Sequence, residues 1–265
     1  MSEDASGKRP GASKSAPASE RIAKRLARAG LCSRREAERW IEAGRVAVDG
    51  KVLTSPAVTV AGTAIVTVDG KPIPEPERAR LWRYHKPRDV VCQAADARGR
   101  KTLAQALPPG MPRVIAAGAL DPNAEGLMLL TNDGGLKRHL ELPATGWARR
   151  YRVRAFGKAD AAKLAALAKG VRIGGVDYGP IEAALEVQKG SNCWLAIGLH
   201  EGRNRDIRRV VEHLGLSPSR IIRIAYGPFQ LGNLEEGAVA EVTGKVMREQ
   251  IGGEFAEKPK REKRR

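Results

Sequence analysis

The sequence predicts an α+β protein with two domains, in which a small N-terminal domain precedes a larger one built on a mixed, mainly antiparallel β-sheet flanked by helices. Three observations support this class. The 265 residues are enough for one large domain and one small one with a proper core. Three prolines in the polar stretch 69–79 are typical of an interdomain linker. Beyond that stretch, strand-like and helix-like patterns alternate along the chain.

Composition along the chain sets the predicted boundaries. Residues 1–18 are rich in Ser, Ala, Gly, Pro and Lys, which predicts a disordered tail. The small domain is predicted over residues 19–68 and the large one over residues 80–252, on either side of the linker. Residues 253–265 end in the run EKPKREKRR and are expected to form a mobile basic tail.

The net charge of +17 is the strongest signal in the composition. The terminal stretches 1–18 and 253–265 contribute +1 and +3, so most of the excess belongs to the part expected to fold. A basic field of this size attracts phosphate backbones or anionic membranes. No apolar run approaches the ~20 residues that span a bilayer, and the N-terminus lacks the apolar core of a signal peptide. We therefore expect a cytoplasmic protein with no membrane partner.

The cysteine and histidine content argues against a disulfide framework and against a structural zinc site. Cys32, Cys92 and Cys193 are odd in number and far apart, as expected of reduced thiols in a cytosolic protein. The four histidines form no pair with metal-ligand spacing, either alone or with the cysteines. We therefore expect no metal site.

Two short helices and a hairpin are predicted in the small domain. An apolar face over residues 21–29 ends at Gly30, a residue type that suits the position after a helix. Ser33 followed by Glu36 has the spacing of a capping box, which starts a second helix. The Asp49-Gly50 pair then predicts a hairpin turn.

Arginines cluster around this helix–turn–helix: Arg25, Arg28, Arg34, Arg35 and Arg39. Most charge runs of this kind form a solvated helical face. The alternative is an RNA-contacting face that offers guanidinium groups to a line of phosphates.

The large domain is predicted to be strand-rich. Strands are expected at 81–84, 90–92, 151–156, 171–173, 176–178, 183–187, 193–199 and 221–226. The apolar segments 183–187, 193–199 and 221–226 are predicted to be inner strands. A short helix over 160–169 should close at Gly170.

A single carboxylate, Asp121, lies on an Asp-Pro-Asn turn between the apolar segments 114–117 and 127–130. Pro122 fixes its own φ and disfavours the helical conformation at Asp121, so the carboxylate is held at a bend. The following Thr-Asn-Asp group suits the cap of a new helix. The turn alone is typical of an ordinary turn aspartate.

A second informative stretch, 200–216, carries an apolar stripe at helical spacing and a dense set of polar side chains. The stripe predicts an amphipathic helix. Free backbone donors and guanidinium groups converge at the start of this helix, which is a good arrangement for binding anions. The basic and polar candidates are Arg203, Asn204, Arg205, Arg208 and Arg209. A solvated surface helix is the alternative, and it fits Arg209 and Arg205 best.

Several motifs carry a resemblance to known families. Residues 20–53 read ERIAKRLARAGLCSRREAERWIEAGRVAVDGKVL and resemble the alpha-L RNA-binding motif. The chain then contains HKPRDVVCQAADARGRKTL (85–103), GALDPNAEGLMLLTNDG (118–134), RRYRVRAFG (149–157), EGRNRDIRR (201–209) and RIAYGPFQLGNL (223–234). Together these motifs resemble the ribosomal-RNA pseudouridine synthases that join an alpha-L motif to a catalytic domain.

The resemblance implies an activity and roles for three residues. Asp121 would be the catalytic aspartate, Tyr151 would lie against the target uracil, and Arg208 would pair with Asp121 and keep it ionised. The implied reaction breaks the bond from the anomeric carbon to the ring nitrogen, turns the uracil and joins carbon 5 to the sugar. It needs no cofactor. The implied partner is ribosomal RNA or a ribosomal assembly particle, bound by a monomer.

Two positions depart from the family pattern. Ala119 stands where the family has an arginine that helps to fill the gap left by the flipped base, and Asp206 stands where glutamine is usual. Ala119 motivates a second hypothesis, a non-catalytic ribosomal-RNA-binding or assembly factor that keeps the synthase scaffold. A third is a metal-dependent nuclease using Asp121, Glu125 and Asp133, although nothing else in the chain completes a metal site.

Overall fold

The structure, a computed structural model, describes residues 19–93, 96–200 and 206–256. The predicted N-terminal tail and most of the predicted basic tail lie outside these ranges. The chain divides into two units between Glu77 and Arg78.

The N-terminal unit contains two helices and short strands. In chain order these are β1 (Glu20–Arg21), α1 (Ile22–Arg28), α2 (Arg34–Glu42), β2 (Val46–Val48), β3 (Lys51–Val52), β4 (Thr59–Val60), β5 (Val66–Val68) and β6 (Lys71–Pro72). Strands β3-β2-β5-β6 form an antiparallel sheet, and β1 pairs with β4. Its core contains the buried residues Ile22, Leu26, Ala37, Ile41 and Val46.

Local signals explain most of this unit. The capping box at the start of α2 is present, with Ser33 and Glu36 each bonded to the other's backbone N–H group. Asp49 and Gly50 both have positive φ, +49° and +82°, as a two-residue hairpin turn requires. The turn recurs at Asp69-Gly70, so the first part of the predicted linker adds β6 to the sheet instead.

The C-terminal unit is larger. Its strands are β7 (Leu81–Lys86), β8 (Ile115–Ala117), β9 (Glu125–Thr131), β10 (Arg149–Phe156), β11 (Val171–Ile173), β12 (Val176–Tyr178), β13 (Glu182–Lys189), β14 (Asn192–Leu199), β15 (Ser217–Tyr226), β16 (Phe229–Gln230) and β17 (Val239–Glu241). Its helices are α3 (Leu103–Ala106), α4 (Gly134–Glu141), α5 (Ala161–Ala166), α6 (Asp206–His213), α7 (Gly244–Ile251) and α8 (Gly253–Ala256), with 3-10 turns at Pro143–Thr145 and Leu167–Lys169.

Nine of these strands form one sheet, in the order β13-β14-β10-β15-β9-β7-β17, with β8 beside β9 and β16 beside β15. Strands β9 and β15 run parallel, and the other described pairings of this sheet are antiparallel. The predicted mixed, mainly antiparallel sheet is therefore confirmed. None of the described helices combines the length and the apolar character needed to cross a bilayer.

Strand β9 lies inside the sheet, between β15 and β7, and is buried on both faces. Leu127 and Leu129 belong to one hydrophobic core, while Met128 and Leu130 belong to the other. Such a strand is a rigid support, because a shift of one residue would exchange every side chain between two filled cores. The turn that bears Asp121 enters this strand directly.

Two strand predictions were wrong in part. Residues 90–92 form only a single bridge, Val91 with Thr102, because the chain here crosses to α3 rather than joining the main sheet. Strand β13, predicted to be inner, is the outer strand of the sheet. Its Leu185 and Val187 are 40% and 49% exposed, so an apolar run did not distinguish an edge strand from an inner one.

Candidate active site

Asp121 lies in the loop between β8 and β9, on the bend that the sequence predicted. Its Oδ1 accepts a hydrogen bond of 2.8 Å from the backbone N–H of Asn123, and its carbonyl accepts one of 3.0 Å from Ala124. These two bonds close a tight turn around the aspartate. The residue is half-buried, so its carboxylate is fixed by the backbone while it stays within reach of a ligand.

Lys86, at the end of β7, is hydrogen-bonded to this turn. Its side chain is fully buried, and Nζ donates to the carbonyl oxygens of Pro122 at 3.1 Å, Ala124 at 2.8 Å and Pro87 at 2.8 Å. Burial lowers the pKa of Lys86 to about 8, against the nearby carboxylates of Asp121 and Asp89, which act to raise that pKa. One ammonium group therefore crosslinks the start and the end of the aspartate turn.

Arg223 of β15 is hydrogen-bonded to the same loop and to the strand β9 that follows it. It is 1% exposed, and its guanidinium donates to the carbonyl oxygens of Leu127 at 2.6 Å, Ala119 at 3.2 Å and Gly118 at 3.3 Å. A Cβ on Gly126 would lie 2.4 Å from the carbonyl oxygen of Arg223. Only glycine allows β9 and β15 to approach this closely at a φ of +103°.

The segment before α3 packs along the turn. The backbone N–H of Asp89 donates to the carbonyl of Pro122 at 2.8 Å, and Sγ of Cys92 donates to that of Leu120 at 3.7 Å. Arg100 makes a two-pronged ion pair with Asp96, at 2.8 and 3.0 Å. That pair raises the pKa of Arg100 above its usual value, and the carboxylates of Asp89 and Asp121 add to the effect. The Arg100–Asp96 ion pair therefore lies close enough to Asp121 for the guanidinium and that carboxylate to interact.

Tyr151 occupies the inward face of β10, whose residues alternate between buried and exposed. The tyrosine is 7% exposed and belongs to the same core as Leu120, Ala124 and Ile207. Leu120 directly precedes Asp121, Ala124 follows it by three residues, and Ile207 directly precedes Arg208. A single hydrophobic core therefore joins the aspartate turn, the Tyr151 ring and the start of α6.

Arg208 differs from its prediction. In the structure its guanidinium pairs with Glu212, with Nη1 and Oε1 4.0 Å apart, and not with Asp121. The cause is local, because residues four apart on a helix face each other. Both side chains are partly exposed, so this ion pair is weak. Arg203, Asn204 and Arg205 lie outside the described residues.

Asp206, the second departure from the family pattern, is a buried structural residue. It is 3% exposed, and its Oδ1 accepts a hydrogen bond of 2.8 Å from the hydroxyl of Tyr178. Burial and this bond raise the pKa of Tyr178, while the nearby Arg209 acts in the opposite direction. The carboxylate therefore anchors α6 to β12.

The carboxylates of the nuclease hypothesis have other roles. Buried Glu125 pairs with Arg220, with Oε1 2.6 Å from Nε and 2.5 Å from Nη2. Asp133 caps α4 by accepting from the backbone of Gly135 and Leu136 at 2.6 and 2.9 Å. Within the residues that the structure describes, no group of three or more His, Cys, Asp or Glu side chains is arranged to hold a metal ion.

In the N-terminal unit the five predicted RNA-binding arginines fall into two sets. Arg34, Arg35 and Arg39 are exposed on α2. Arg25 is half-buried and donates to the carbonyl of Gly62 at 2.8 Å, and Arg28 makes an ion pair of 3.5 Å with Glu20. The second set therefore contributes to the fold of this unit.

Lys86 and Arg223 were missed by the sequence reasoning. Both lie within the resembling motifs, at 85–103 and 223–234, but the burial of their cations was not predicted. The available signal was the position of each lysine or arginine in an otherwise alternating strand, at a site where the inward face needs an apolar residue.

Comparison with known proteins decides the family. Residues 20–66 match the S4 domain, and residues 80–213 match the model described as RNA pseudouridylate synthase. The chain belongs to the RNA pseudouridylate synthase family. Its N-terminal unit is thus the expected RNA-binding module, and RNA is the partner of this synthase.

Relatives cover most of the chain. An RNA pseudouridine synthase of Rickettsia felis is 43% identical over 228 residues, which are 86% of this chain and 99% of that protein. Ribosomal large subunit pseudouridine synthase B of Salmonella typhi is 42% identical over 224 residues, 80% of this chain and 75% of that protein. A crystal structure of a pseudouridylate synthase shares the fold, with a TM-score of 0.61 at 24% identity over 87% of this chain and 99% of that one. This synthase is therefore an isomerase of RNA uridine, as the resemblance implied.

Proposed function

We propose that this synthase converts a specific uridine of ribosomal RNA to pseudouridine, with the carboxylate of Asp121 as its catalytic group and without a cofactor. The observation that carries the proposal is the support of one half-buried aspartate turn by two buried cations, Lys86 and Arg223. Ribosomal RNA is proposed as the substrate because the Salmonella relative is named for the large ribosomal subunit.

The reaction is an isomerisation in which atoms and electrons balance. The bond between the anomeric carbon and ring nitrogen 1 breaks, the uracil turns, and carbon 5 bonds to the anomeric carbon. Carbon 5 then loses its proton and nitrogen 1 carries one. Asp121 acts either as a nucleophile at the anomeric carbon or as a base towards a neighbouring sugar proton, and both routes need an ionised carboxylate.

The supporting residues act through position. Lys86 and Arg223 donate to five carbonyl oxygens of the segment 118–127 and to the carbonyl oxygen of Pro87. The carboxylate would therefore already be ordered before RNA binds, so binding would not have to supply that ordering. Arg100, which is paired with Asp96, would offer its guanidinium to phosphates of the substrate close to the site. These groups are positioning residues, and Asp121 is the residue that reacts.

Tyr151 and Arg208 complete the proposed site. The ring of Tyr151 would pack against the flipped uracil and offset part of the few kcal/mol that unstacking costs. The weak Arg208–Glu212 pair would open when RNA binds and release the guanidinium to Asp121.

The remaining basic residues would bind RNA backbone. In the N-terminal unit these are the exposed Arg34, Arg35 and Arg39, with smaller contributions from Arg25 and Arg28. Near α6 they are Arg203, Asn204, Arg205 and Arg209. We propose that the protein acts as a monomer in the cytoplasm, on ribosomal RNA or on a ribosomal assembly particle.

The decisive measurement is the release of tritium from ribosomal RNA that carries uridine labelled at carbon 5. Asp121→Asn should lower release by about a thousandfold or more, because the amide is neither a nucleophile nor a base. Its affinity for the RNA should stay within about twofold. Asp177→Asn makes the same change at a side chain that is 79% exposed, and should release tritium like the unmodified protein.

Each result separates the hypotheses. Release that survives Asp121→Asn would contradict the assignment of the catalytic residue. Tight RNA binding with no release by the unmodified protein would instead identify a binding or assembly factor. Mapping pseudouridines in ribosomal RNA from cells with and without the protein would then identify the target uridine.

A further inference from the structure

A cavity of about 600 Å³ opens beside the aspartate turn, within the C-terminal unit. It lies between α3 with the loop that follows it, Lys137 and Glu141 of α4, and Ala119. Its volume is in the range of roughly 300–1,000 Å³ that small-molecule sites occupy. A group as large as a nucleobase with its ribose would therefore fit.

The cavity is close to the reacting group. Ala119 forms part of its wall and lies two residues before Asp121, a distance that an extended chain spans in at most about 7 Å. Cys92 forms another part of the wall and contacts the carbonyl of Leu120. An RNA chain that places its target uridine at Asp121 therefore places an adjacent nucleotide near the opening of this cavity.

The chemistry of the walls suits a heterocyclic base. Leu107, Met111 and Val114 provide apolar surface, and they pack against the core that contains Tyr151. Flat aromatic bases gain free energy by burial against such surface, and methionine adapts to different ring shapes.

The rim supplies polar groups that are already fixed. Glu141 accepts hydrogen bonds from the backbone N–H of Gly118 at 2.8 Å and from the Lys137 ammonium. Arg113 and Gln93 are exposed at the same rim. With two cations, one carboxylate and one amide, the rim carries net positive charge and can bond the polar edge of a base.

We propose that this cavity is a second nucleobase site, which receives the base of a nucleotide adjacent to the target uridine. This inference rests on the proposed function. When the target base leaves the stack, its neighbour loses a stacking partner, and the cavity walls replace the lost contact. Ala119 makes the site possible, because its methyl group leaves free a space that a longer side chain would occupy.

The test uses an oligoribonucleotide that contains the mapped target uridine, with an abasic ribose at one flanking position or at the other. For the unmodified protein, one of the two abasic substrates should raise KM about tenfold while kcat changes less than about twofold. Loss of a buried base costs affinity, whereas the chemistry at Asp121 is unchanged.

Two variants fill the cavity from different walls, Ala119→Leu and Ala104→Phe, since both alanines are exposed and line it. Each should raise KM on the intact substrate about tenfold and remove the sensitivity to the abasic ribose. Ala162→Phe adds the same bulk at an exposed alanine of α5, away from the cavity, and should behave as the unmodified protein does. Thermal unfolding of each variant shows whether its fold is retained. One folded cavity-filling variant is sufficient for the test.

Three outcomes would overturn the inference. Equal KM values for the intact and both abasic substrates would show that no flanking base is bound. Filled variants that keep their sensitivity to the abasic ribose would place the bound base elsewhere, although tritium release would still support the proposed function. No release from any ribosomal RNA by the unmodified protein would reject the proposed function and this site with it.

Discussion

The turn that carries Asp121 and the start of α6 that carries Arg208 meet one core, but they are held in different ways. The turn is bonded to buried Lys86 and Arg223, with donor–acceptor distances from 2.6 to 3.3 Å. Arg208 has a partly exposed ion pair of 4.0 Å with Glu212. In the proposed site, one half would therefore be ordered before RNA binds, whereas the other half would change partners at little cost.

Both supporting cations donate to carbonyl groups of the backbone. These bonds to the backbone fix the position of the turn that carries Asp121. The cost is the burial of two charges, which the structure compensates with three carbonyl acceptors for each.

The largest expected effect is that of Arg223→Met, which removes the guanidinium that is hydrogen-bonded to the ordered half of the proposed site. Three carbonyl groups lose a charged donor, so the free energy of unfolding should fall by about 2–4 kcal/mol. The value of kcat should fall more than KM rises, since the turn loses its support but the RNA contacts remain. Urea unfolding and tritium release measure the two effects.

Arg154→Met is the matched control for this substitution. Arg154 is an exposed arginine on the neighbouring strand β10, and its replacement should change stability by less than about 0.5 kcal/mol. If Arg223→Met were equally mild, the buried guanidinium would not be what orders the turn.

The second prediction concerns the charge of Lys86. Its pKa is about 8 in the folded protein and near 10.5 when unfolded. Between these pH values the unfolded chain keeps a proton that the folded chain has released, so the free energy of unfolding should rise with pH, by up to about 3 kcal/mol. Below pH 8 both states carry the charge, and this contribution no longer changes.

Lys86→Met isolates this contribution from other titrating groups. Urea unfolding at pH 7, 8, 9 and 10 should show the unmodified protein gaining stability relative to the variant as pH rises. A constant difference across that range would mean that the ammonium is as well solvated by its three carbonyl partners as by water.

The third prediction tests the adjustable half of the site. Arg208→Gln should leave the free energy of unfolding within about 0.5 kcal/mol, because its pair with Glu212 is weak. If Arg208 moves to Asp121 in the complex with RNA, kcat should fall about a hundredfold. Glu212→Gln removes the same ion pair from the other side and should keep kcat within about twofold. Equal losses of kcat in both variants would show that activity needs the Arg208–Glu212 ion pair itself, and not the transfer of Arg208 from Glu212 to Asp121.

The sequence predicted well wherever a few neighbouring residues determine the geometry. The capping box at Ser33, the Asp49-Gly50 hairpin and the bend at Asp121 depend on local bonds, and the alternation of β10 places Tyr151 inward. Each of these features is encoded within about six residues. The fold class followed from their order along the chain.

The sequence predicted poorly wherever a charged side chain had to choose among distant partners. Arg25 and Arg223 bond to carbonyl groups 37 and 96 residues away, respectively. Arg208 was predicted to pair with Asp121, but its partner in the structure is Glu212 on its own helix. A composition count treats every arginine as a possible RNA ligand, but only tertiary packing determines which ones are left over to bind RNA.

The smallest effects are expected for the exposed arginines of α2, and they test that last distinction. Arg34→Gln, Arg35→Gln or Arg39→Gln should weaken RNA binding without changing stability, and each should reduce the slope of log affinity against log salt concentration by about 1. Arg25→Gln should instead lower the free energy of unfolding, because Nη1 of Arg25 bonds the loop at Gly62. Filter binding at several salt concentrations, together with thermal unfolding, separates the two classes. An unchanged salt slope for all three α2 variants would mean that this face is merely solvated, and that RNA is bound by a different surface.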